Sequence, residues 1–415
     1  MEGTGTLQTT ALARAASVPS VQTESPAPKK LANKNVAFFA QDIADASTIK
    51  RSQQLIAHGF TVTVFGFRRQ RYNIDFKPTW PHVLLGYTQD RNYLRRLKSL
   101  IGAIPLFWTE RRAIAHSSVF YARNLDQLAL ALLVRLFINP RATVIYEVLD
   151  IQPILAGTGP LCRMLRLIER VCLTQVRYLV LSSPGFFRNY YFPIQKYQGA
   201  WLLVENKLTE PLPEPRPSID ERRARSPNRW RVGYFGLIRG QRTFDLIVRL
   251  AERLGDKVEF HFAGVLTTVD EARFHAALAS HSNIVYEGRY EIPRDLPKLY
   301  RSVDFAWALD LENVDHNSRW LLPCRLYEAG YFGVPCLAVH DFELGNHVDR
   351  AGVGWSFVEP LEEALVHFFE TLTPELYDEK RRRLLAQPES AFVSGADIDA
   401  LSRVVEHPDW AFSVS

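Results

Sequence analysis

Cysteine and methionine are scarce in this chain, which has 4 cysteines and 2 methionines in 415 residues. The cysteines form no CxxC pair and show no zinc-ligand spacing, which argues against a disulfide framework and against a structural zinc site. They are Cys162, Cys172, Cys324 and Cys336. We expect four reduced and mostly buried thiols, as is typical of a cytoplasmic protein.

Long hydrophobic runs are also missing. No stretch reaches the ~18 uninterrupted apolar residues of a transmembrane helix, and the longest candidate, Leu128–Ile138, is interrupted by Arg135. Residues 1–33 are rich in Ala, Ser, Thr, Pro and Gln and lack the apolar core of a secretory signal. We interpret them as a disordered lead.

Charge is nearly balanced, with 50 Lys and Arg against 45 Asp and Glu, a net of +5. A dedicated nucleic-acid-binding protein usually carries a much larger basic excess. The segment Arg91–Arg112 has six basic residues and one acidic residue, a local +5, interleaved with Leu, Ile, Phe and Trp108. This pattern predicts contact with an anionic membrane surface. The alternative is an ordinary amphipathic core helix with a solvated basic face.

Short apolar runs alternate with helical patterns along the rest of the chain. Such strands, buried on both faces and separated by helices, predict parallel α/β sheets. A Pro-rich and then Arg-rich stretch divides the chain in two. We therefore expect two Rossmann-like doubly wound domains, 34–208 and 230–389, with a linker at 209–229. A helix from about 390–415 is expected to pack back on the first domain.

A glycine-rich turn opens the second domain. Gly233-Tyr-Phe-Gly236 ends a predicted strand, and Arg239, Gly240 and Arg242 lead into a helix. Glycine permits a sharp turn, and the following helix N-terminus with its arginines suits a phosphate. The alternative is an ordinary βα turn with solvated arginines.

A second segment extends from Asn317 to Ala338. Pro323 starts a predicted helix containing Arg325 and Glu328, and Gly333-Val-Pro ends it. A carboxylate that faces the cleft from this helix can accept two hydrogen bonds from a ribose diol. The alternative is a surface Glu328 paired with Arg325 three residues earlier.

The order of these pieces resembles the C-terminal, donor-binding domain of glycosyltransferases with the GT-B fold. The further matching segments are Phe260–Gly264, Asn283–Gly288, Leu296–Tyr300, Val303–Asp304 and the Glu-Ala-Gly-x-x-Gly-x-Pro block from Glu328. Within that group the chain looks most like bacterial exopolysaccharide transferases of the succinoglycan and xanthan assembly type. The resemblance implies that Glu328 holds the nucleotide ribose and that Arg239 contacts the diphosphate of a UDP- or GDP-sugar, without a metal or other cofactor.

The resemblance also places a base on the first domain. Asp150 follows the predicted strand Thr143–Val148, at the edge where the cleft between the domains is expected. In the inverting enzymes that this segment resembles, an Asp at this place removes the proton of the acceptor hydroxyl. The alternative is an Asp that caps the next turn.

Other positions are candidates of lower weight. On the donor side these are Gly236, Arg242, Asp310, Asn317 and Arg325, and on the acceptor side Asp45, Arg51, Asn124 and Ser183. Helix capping explains Asp45 and Asn124 equally well. Asp310-Leu-Glu312 is a faint counterpart of the Asp-x-Asp metal motif, and we expect no metal site.

The sequence thus predicts an inverting glycosyltransferase. Its expected partners are a UDP-sugar, in preference to a GDP-sugar, as the nucleotide-diphosphate donor and a polyprenyl-linked oligosaccharide at the inner face of the cytoplasmic membrane. Many retaining relatives carry a second glutamate eight residues before the ribose-binding one, where this chain has Trp320. A retaining transferase, a hydrolysing sugar-nucleotide epimerase and a non-catalytic scaffold of a polysaccharide assembly complex remain alternatives.

Overall fold

The structure, a computed structural model, describes residues 34–69, 76–88, 102–219 and 229–407. Within them two parallel sheets form, one in each half of the chain. The first sheet has the order β3-β2-β1-β4-β5-β6-β7. Its strands are β1 (Asn35–Ala40), β2 (Thr61–Arg68), β3 (His82–Tyr87), β4 (Val119–Arg123), β5 (Thr143–Val148), β6 (Tyr178–Leu181) and β7 (Trp201–Leu203).

Both faces of the first sheet are covered because its central strands are apolar on both sides. In β1, Ala37 and Phe39 belong to one core cluster, and Val36 and Phe38 belong to another on the opposite face. Residues on alternate sides of a strand need a helical layer each, which is the doubly wound arrangement. The helices of this half are α1 (Ala46–Ala57), α2 (Arg111–Ala115), α3 (Leu125–Phe137), α4 (Pro153–Ala156), α5 (Pro160–Leu173) and α6 (Pro184–Phe186).

The second sheet has the order β10-β9-β8-β11-β12-β13. Its strands are β8 (Trp230–Ile238), β9 (Val258–Leu266), β10 (Ile284–Tyr286), β11 (Phe305–Trp307), β12 (Cys336–Val339) and β13 (Trp355–Phe357). Two core clusters again cover its two faces. Its helices are α7 (Gln241–Leu254), α8 (Glu271–Ser280), α9 (Leu296–Ser302), α10 (Asn317–Trp320), α11 (Cys324–Tyr331), α12 (Glu343–Ala351), α13 (Leu361–Thr371) and α14 (Pro374–Leu385).

The last helix returns to the first half of the chain. In α15 (Ala396–Glu406), Leu401 and Val404 are buried in the same cluster as Val36 and Phe38 of β1. The chain therefore crosses between the two units twice. The crossing segments contact each other, since the amide of Leu208 donates to the carbonyl of Phe392 (2.8 Å) and the amide of Ser394 donates to the carbonyl of Leu208 (2.8 Å).

No helix within the described residues is long and apolar enough to cross a membrane. The segment predicted to contact a membrane, Arg91–Arg112, lies outside the described residues up to position 101. Residues 102–109 are helical, and Trp108 is exposed there.

Candidate functional site

The floor of the candidate site lies where β8 and β9 end. Gly236 and Gly264 face each other in neighbouring strands with φ of 114° and 128°, and a Cβ on Gly264 would lie 1.9 Å from the Gly236 carbonyl oxygen. Only glycine tolerates this conformation and this approach. A Cβ on Gly236 would point into the space beside Arg325 and Tyr290, each 3.9 Å away. The backbone at Gly236 is therefore open to a ligand.

Glu328 lies at the back of this space, on α11. It is buried, and its Oε2 accepts a hydrogen bond of 2.8 Å from the hydroxyl of Tyr300. Burial raises its pKa, although the Tyr300 hydrogen bond and the charge of Arg325 oppose the increase. Glu328 is thus not the exposed partner of an ion pair with Arg325, which was the alternative interpretation of this segment.

Arg325 is held by backbone carbonyls at the ends of two strands. Its Nε donates to the carbonyl of Phe235 (2.7 Å), and its Nη1 donates to the carbonyl of Trp307 (3.0 Å). The guanidinium lies over the ring of Tyr234, 4.4 Å from the centroid. Among the described residues no carboxylate forms an ion pair with it, so its positive charge is directed at the cleft without a protein counter-ion.

Arg239, by contrast, is paired with two carboxylates. Its Nη2 lies 2.5 Å from Oδ2 of Asp310, and its Nε lies 3.6 Å from Oε2 of Glu312. Burial lowers the pKa of Arg239, but the charges of Asp310 and Asp150 outweigh it and raise the pKa overall. Asp310 therefore orients Arg239, and its carboxylate faces the arginine.

Asp150 faces Arg239 from the other unit. The side-chain amide of Asn317 donates to Oδ1 of Asp150 (3.0 Å), while the amide oxygen of Asn317 accepts from the backbone N–H of Ile151 (2.9 Å). Solvent reaches Asp150 from the cleft, but the surrounding protein replaces much of the bulk water. This desolvation raises its pKa, against the opposing effects of the Asn317 hydrogen bond and the Arg239 charge. Its Oδ2 has no hydrogen-bond partner among the described groups.

Two residues that the sequence reasoning did not select also face the cleft. Lys50 of α1 donates to the carbonyl of Lys207, and its charge interacts with Cys324 and Glu328 on the opposite wall. Desolvation lowers the pKa of Lys50 and raises that of the Cys324 thiol to about 11. Cys324 is exposed, and of the four cysteines only Cys336 is buried, so the expectation of mostly buried thiols was wrong.

The acceptor-side candidates have structural partners. Asp45 caps α1 through the backbone N–H groups of Ser47 (3.1 Å) and Thr48 (3.4 Å). Asn124 precedes α3 with a φ of 71° and makes no side-chain cap. Ser183 is buried and donates to the carbonyl of Trp320 in the other unit (2.5 Å).

Arg51 lies below the cleft, which corrects the expectation for that residue, whereas Arg242 is exposed. Arg51 is buried below it, where Nη2 contacts Oε1 of Glu147 at 2.7 Å and Nη1 donates to Gln54 at 2.6 Å. It lies on the core-facing side of α1, so it cannot reach a ligand. Arg242 is 58% exposed and pairs with Glu359 at 2.6 Å.

Among the described residues, no cluster of three or more His, Cys, Asp or Glu side chains could hold a metal ion. Asp310 and Glu312 both face Arg239, and Glu312 also accepts a hydrogen bond from Thr268 (2.8 Å). Both carboxylates thus already have protein partners and share the one positive charge of Arg239.

Comparison with solved structures defines the fold. Sucrose-phosphate synthase from Thermosynechococcus elongatus superposes with a TM-score of 0.65 at 12% identity, over 90% of this chain and 98% of that one. Anabaena HepE in complex with UDP and glucose gives a TM-score of 0.65 at 12% identity, over 90% of this chain and 99% of that one. The lipopolysaccharide glycosyltransferase WaaG gives a TM-score of 0.59 at 13% identity, over 89% of this chain and 99% of that one. The chain has the GT-B fold. The predicted fold class, parallel α/β sheets of the GT-B type, is confirmed.

A curated protein is also similar over most of its length. The succinoglycan biosynthesis protein ExoL of Rhizobium meliloti (strain 1021) is 29% identical over 379 residues, which are 89% of this chain and 92% of that protein. No protein-family model matches the chain. In this GT-B chain the described cleft residues lie between the two sheets, at the ends of β5, β8 and β11 and on helices α1, α10 and α11.

Proposed function

We propose that the chain is a glycosyltransferase of exopolysaccharide biosynthesis. It transfers a sugar from a UDP-sugar to a hydroxyl of a polyprenyl-linked oligosaccharide, with inversion at the anomeric carbon. The similarity to ExoL supports the biosynthetic context, and the UDP bound in HepE supports the donor class. The observation that carries the proposal is Asp150, which faces the cleft opposite Arg239 with one oxygen fixed by Asn317 and the other available.

The reaction follows from this arrangement. The acceptor hydroxyl attacks the anomeric carbon while Asp150 takes its proton, and the bond from that carbon to the UDP oxygen breaks. A raised pKa makes Asp150 a better base than an ordinary aspartate, and such a base typically contributes about 10²–10⁴-fold to the rate. Glu328 accepts hydrogen bonds from the ribose diol. UDP is the leaving group, and its diphosphate carries the negative charge that develops as the bond to the anomeric carbon breaks.

Arg325 and Lys50 are the best-placed cations for that charge. Arg239 already has Asp310 and Glu312 as partners, so an added anion gains less from it. Arg325 has carbonyl partners, and it lies next to the open backbone of Gly236. Positive groups fixed in a cleft before the reaction stabilise a leaving group without reorganisation. These fixed cations stabilise the departing diphosphate, which is what a metal ion does in other transferases.

The lipid-linked acceptor places the enzyme at the inner membrane surface as a peripheral protein. Residues 102–112 continue the basic segment predicted for this contact, and Ile104 and Trp108 are exposed within them. Apolar side chains of this kind lie in the interface between headgroups and acyl chains.

Calorimetry with a panel of UDP- and GDP-sugars tests the donor site. We expect wild-type protein to bind UDP-sugars, and Arg325→Gln to weaken UDP binding roughly tenfold or more, since charge-assisted hydrogen bonds contribute about 1.5–3 kcal/mol. Arg249→Gln is the matched control, because Arg249 is an exposed arginine in the middle of α7 that pairs with Glu362. Absence of UDP and GDP binding by folded wild-type protein would favour a non-catalytic scaffold.

A further inference from the structure

The outer helical layer of the first unit has an unusual solvent face. Helix α5 presents Leu161, Met164, Leu167 and Val171 to solvent at spacings of three and four residues, so they form one stripe. Leu136 and Phe137 extend it at the end of α3. These six side chains are between 50% and 68% exposed. A surface helix normally turns such a stripe toward the core.

The two helices form one continuous surface. Their C-terminal ends are joined by a hydrogen bond from Nη1 of Arg135 to Oε1 of Gln175 (3.4 Å), and both pack on the same core cluster. Asn139, after α3, donates to the carbonyls of Ile114 (3.1 Å) and Ser117 (2.8 Å) at the end of α2. The layer therefore continues from α5 through α3 to residues 102–115, which carry Trp108. We call the exposed apolar part of α3 and α5 the α3–α5 face.

The charges on this face have one sign. Helix α5 carries Arg163, Arg166 and Arg170, and its single carboxylate, Glu169, is fully buried. Glu169 accepts hydrogen bonds from the hydroxyls of Tyr190 (2.5 Å) and Tyr191 (3.1 Å), beneath the helix. The solvent side of α5 is thus apolar and basic in the described structure.

We propose that the α3–α5 face docks on an anionic lipid bilayer. Exposed leucines and a methionine enter the boundary between headgroups and acyl chains, while Arg163 and Arg170 contact the anionic headgroups. A second copy of this chain fits the face less well, because it would bring the same arginines together. Helices α4 and α5 follow Asp150 in the chain, and α5 begins at Pro160, so docking through α5 holds the cleft beside the bilayer.

This proposal extends the membrane association proposed above to a defined surface. It does not require sugar transfer, because binding to vesicles is measured without donor or acceptor. A chain that docks but does not transfer would overturn the proposed function alone, and a chain that transfers without docking through this face would overturn this inference alone.

Co-sedimentation of the full chain with vesicles tests it. We expect binding to vesicles of equimolar phosphatidylcholine and phosphatidylglycerol, weak binding to phosphatidylcholine alone, and loss of binding at high salt. The double substitution Leu136→Ser and Leu167→Ser should lower the partition coefficient roughly tenfold or more. The control is Leu376→Ser, which removes a leucine of comparable exposure (52%) from α14 of the second unit.

A second pair of variants separates charge from apolar contact. Arg163→Gln should weaken binding to the anionic vesicles, and Arg382→Gln on α14 should not. Unchanged thermal unfolding of each variant shows that the fold is intact, as expected for exposed positions. Equal vesicle binding by the Leu136→Ser/Leu167→Ser variant and the wild type would overturn the proposal. A second result would also overturn the proposal. In this result the wild type binds no vesicles but self-associates, and the Leu136→Ser/Leu167→Ser variant does not self-associate.

Discussion

Asp150 is the residue on which the proposed chemistry depends, and its surroundings suit the proposed role of a base. Desolvation raises its pKa, while the hydrogen bond from Asn317 lowers it. Asn317 also accepts from the backbone of Ile151, so the same side chain fixes the loop that carries the base. One oxygen of Asp150 is thereby held, and the other remains for the acceptor.

Replacing Asn317 should change the pH dependence of transfer. In the proposed mechanism Asp150 acts when deprotonated, so the rate should fall as the pH drops through its pKa. Asn317→Ala removes a hydrogen bond that favours the charged form, so the pKa rises further and the acid limb of kcat/KM moves to higher pH. Asn313→Ala on the same loop is the control. An acid limb at the wild-type position in Asn317→Ala would contradict this account of Asp150.

The sequence allowed some of these residues to be predicted and hid others. Asp150 and Glu328 stand at the ends or starts of recognisable elements, and the structure places both at the cleft. Lys50 was missed in favour of its neighbour Arg51. Yet Thr48, Arg51, Ser52 and Leu55 share one face of α1 by helical spacing, and this pattern already indicates that Arg51 faces the core.

At the scale of elements, Glu147 connects a helix to two strands. On β5 it is fully buried between Arg51 of α1 and Arg123 of β4, whose Nε lies 3.0 Å from Oε2. Burial acts to raise the pKa of Glu147, but the two arginines outweigh it and lower the pKa to about 2. The ion triad fixes α1, and thus the helix that carries Lys50, against the sheet below the cleft.

Removal of this carboxylate should destabilise the fold in a pH-dependent way. Since the pKa is about 2 in the folded state against an ordinary 4.5, ionisation of Glu147 adds stability above pH 4.5 that is lost as the pH falls toward 2. Glu147→Gln leaves two buried arginines without their carboxylate partner and should cost about 3–5 kcal/mol at pH 7, and less at pH 3. Urea unfolding at both pH values measures this.

The exposed pair of Glu379 and Arg383 provides the matched control for that experiment. Glu379→Gln should change the free energy of unfolding by less than about 1 kcal/mol at either pH, as is typical of surface ion pairs. An equally small effect of Glu147→Gln would show that the triad does not stabilise the fold.

Elements with a continuous apolar run were predictable, and those at the margins were not. β5 and β8 were both expected from their sequences, because each has a continuous apolar run that is buried in the sheet. β3 escaped prediction because it is an edge strand whose burial is irregular, and β13 is only three residues long. Helix α12 contains Gly345, which weakens the helical signal.

At the scale of the whole molecule, contacts between residues far apart in sequence join the two units. Ser183 donates to the carbonyl of Trp320, Arg188 pairs with Glu343, and the Tyr327 hydroxyl donates to Glu205 (3.0 Å). Gly185 lies within this interface, where a Cβ would be 2.3 Å from the Trp320 carbonyl oxygen. None of these contacts follows from local pattern, since each joins residues more than a hundred positions apart.

A methyl group at Gly185 should therefore separate the units. We expect Gly185→Ala to increase the radius of gyration measured by small-angle X-ray scattering and to lower kcat/KM, because Asn317 would withdraw from Asp150. Gly159→Ala is the control, because a Cβ there would meet only the Cys162 sulfur at 3.9 Å. A wild-type radius and wild-type kinetics for Gly185→Ala would show that this contact does not position the units.

Charge is also organised at this scale. The net +5 of the chain equals the local surplus of Arg91–Arg112, and further arginines lie on the α3–α5 face of the same outer layer. Helices of that layer follow Asp150 in the chain. The donor-side cations, by contrast, lie mostly in the unit that contains the second sheet. The proposed division of the molecule is thus an acceptor unit beside the bilayer and a donor unit that binds the nucleotide.

The central claim is that Asp150 is the base of sugar transfer, and Asp150→Asn tests it most directly. Asparagine has nearly the same shape but cannot take a proton. With a UDP-sugar and a lipid-linked acceptor, the account predicts that the transfer rate falls at least about 100-fold while UDP affinity, measured by calorimetry, stays within a few-fold of wild type. Transfer at the wild-type rate by a variant that still binds UDP would contradict it.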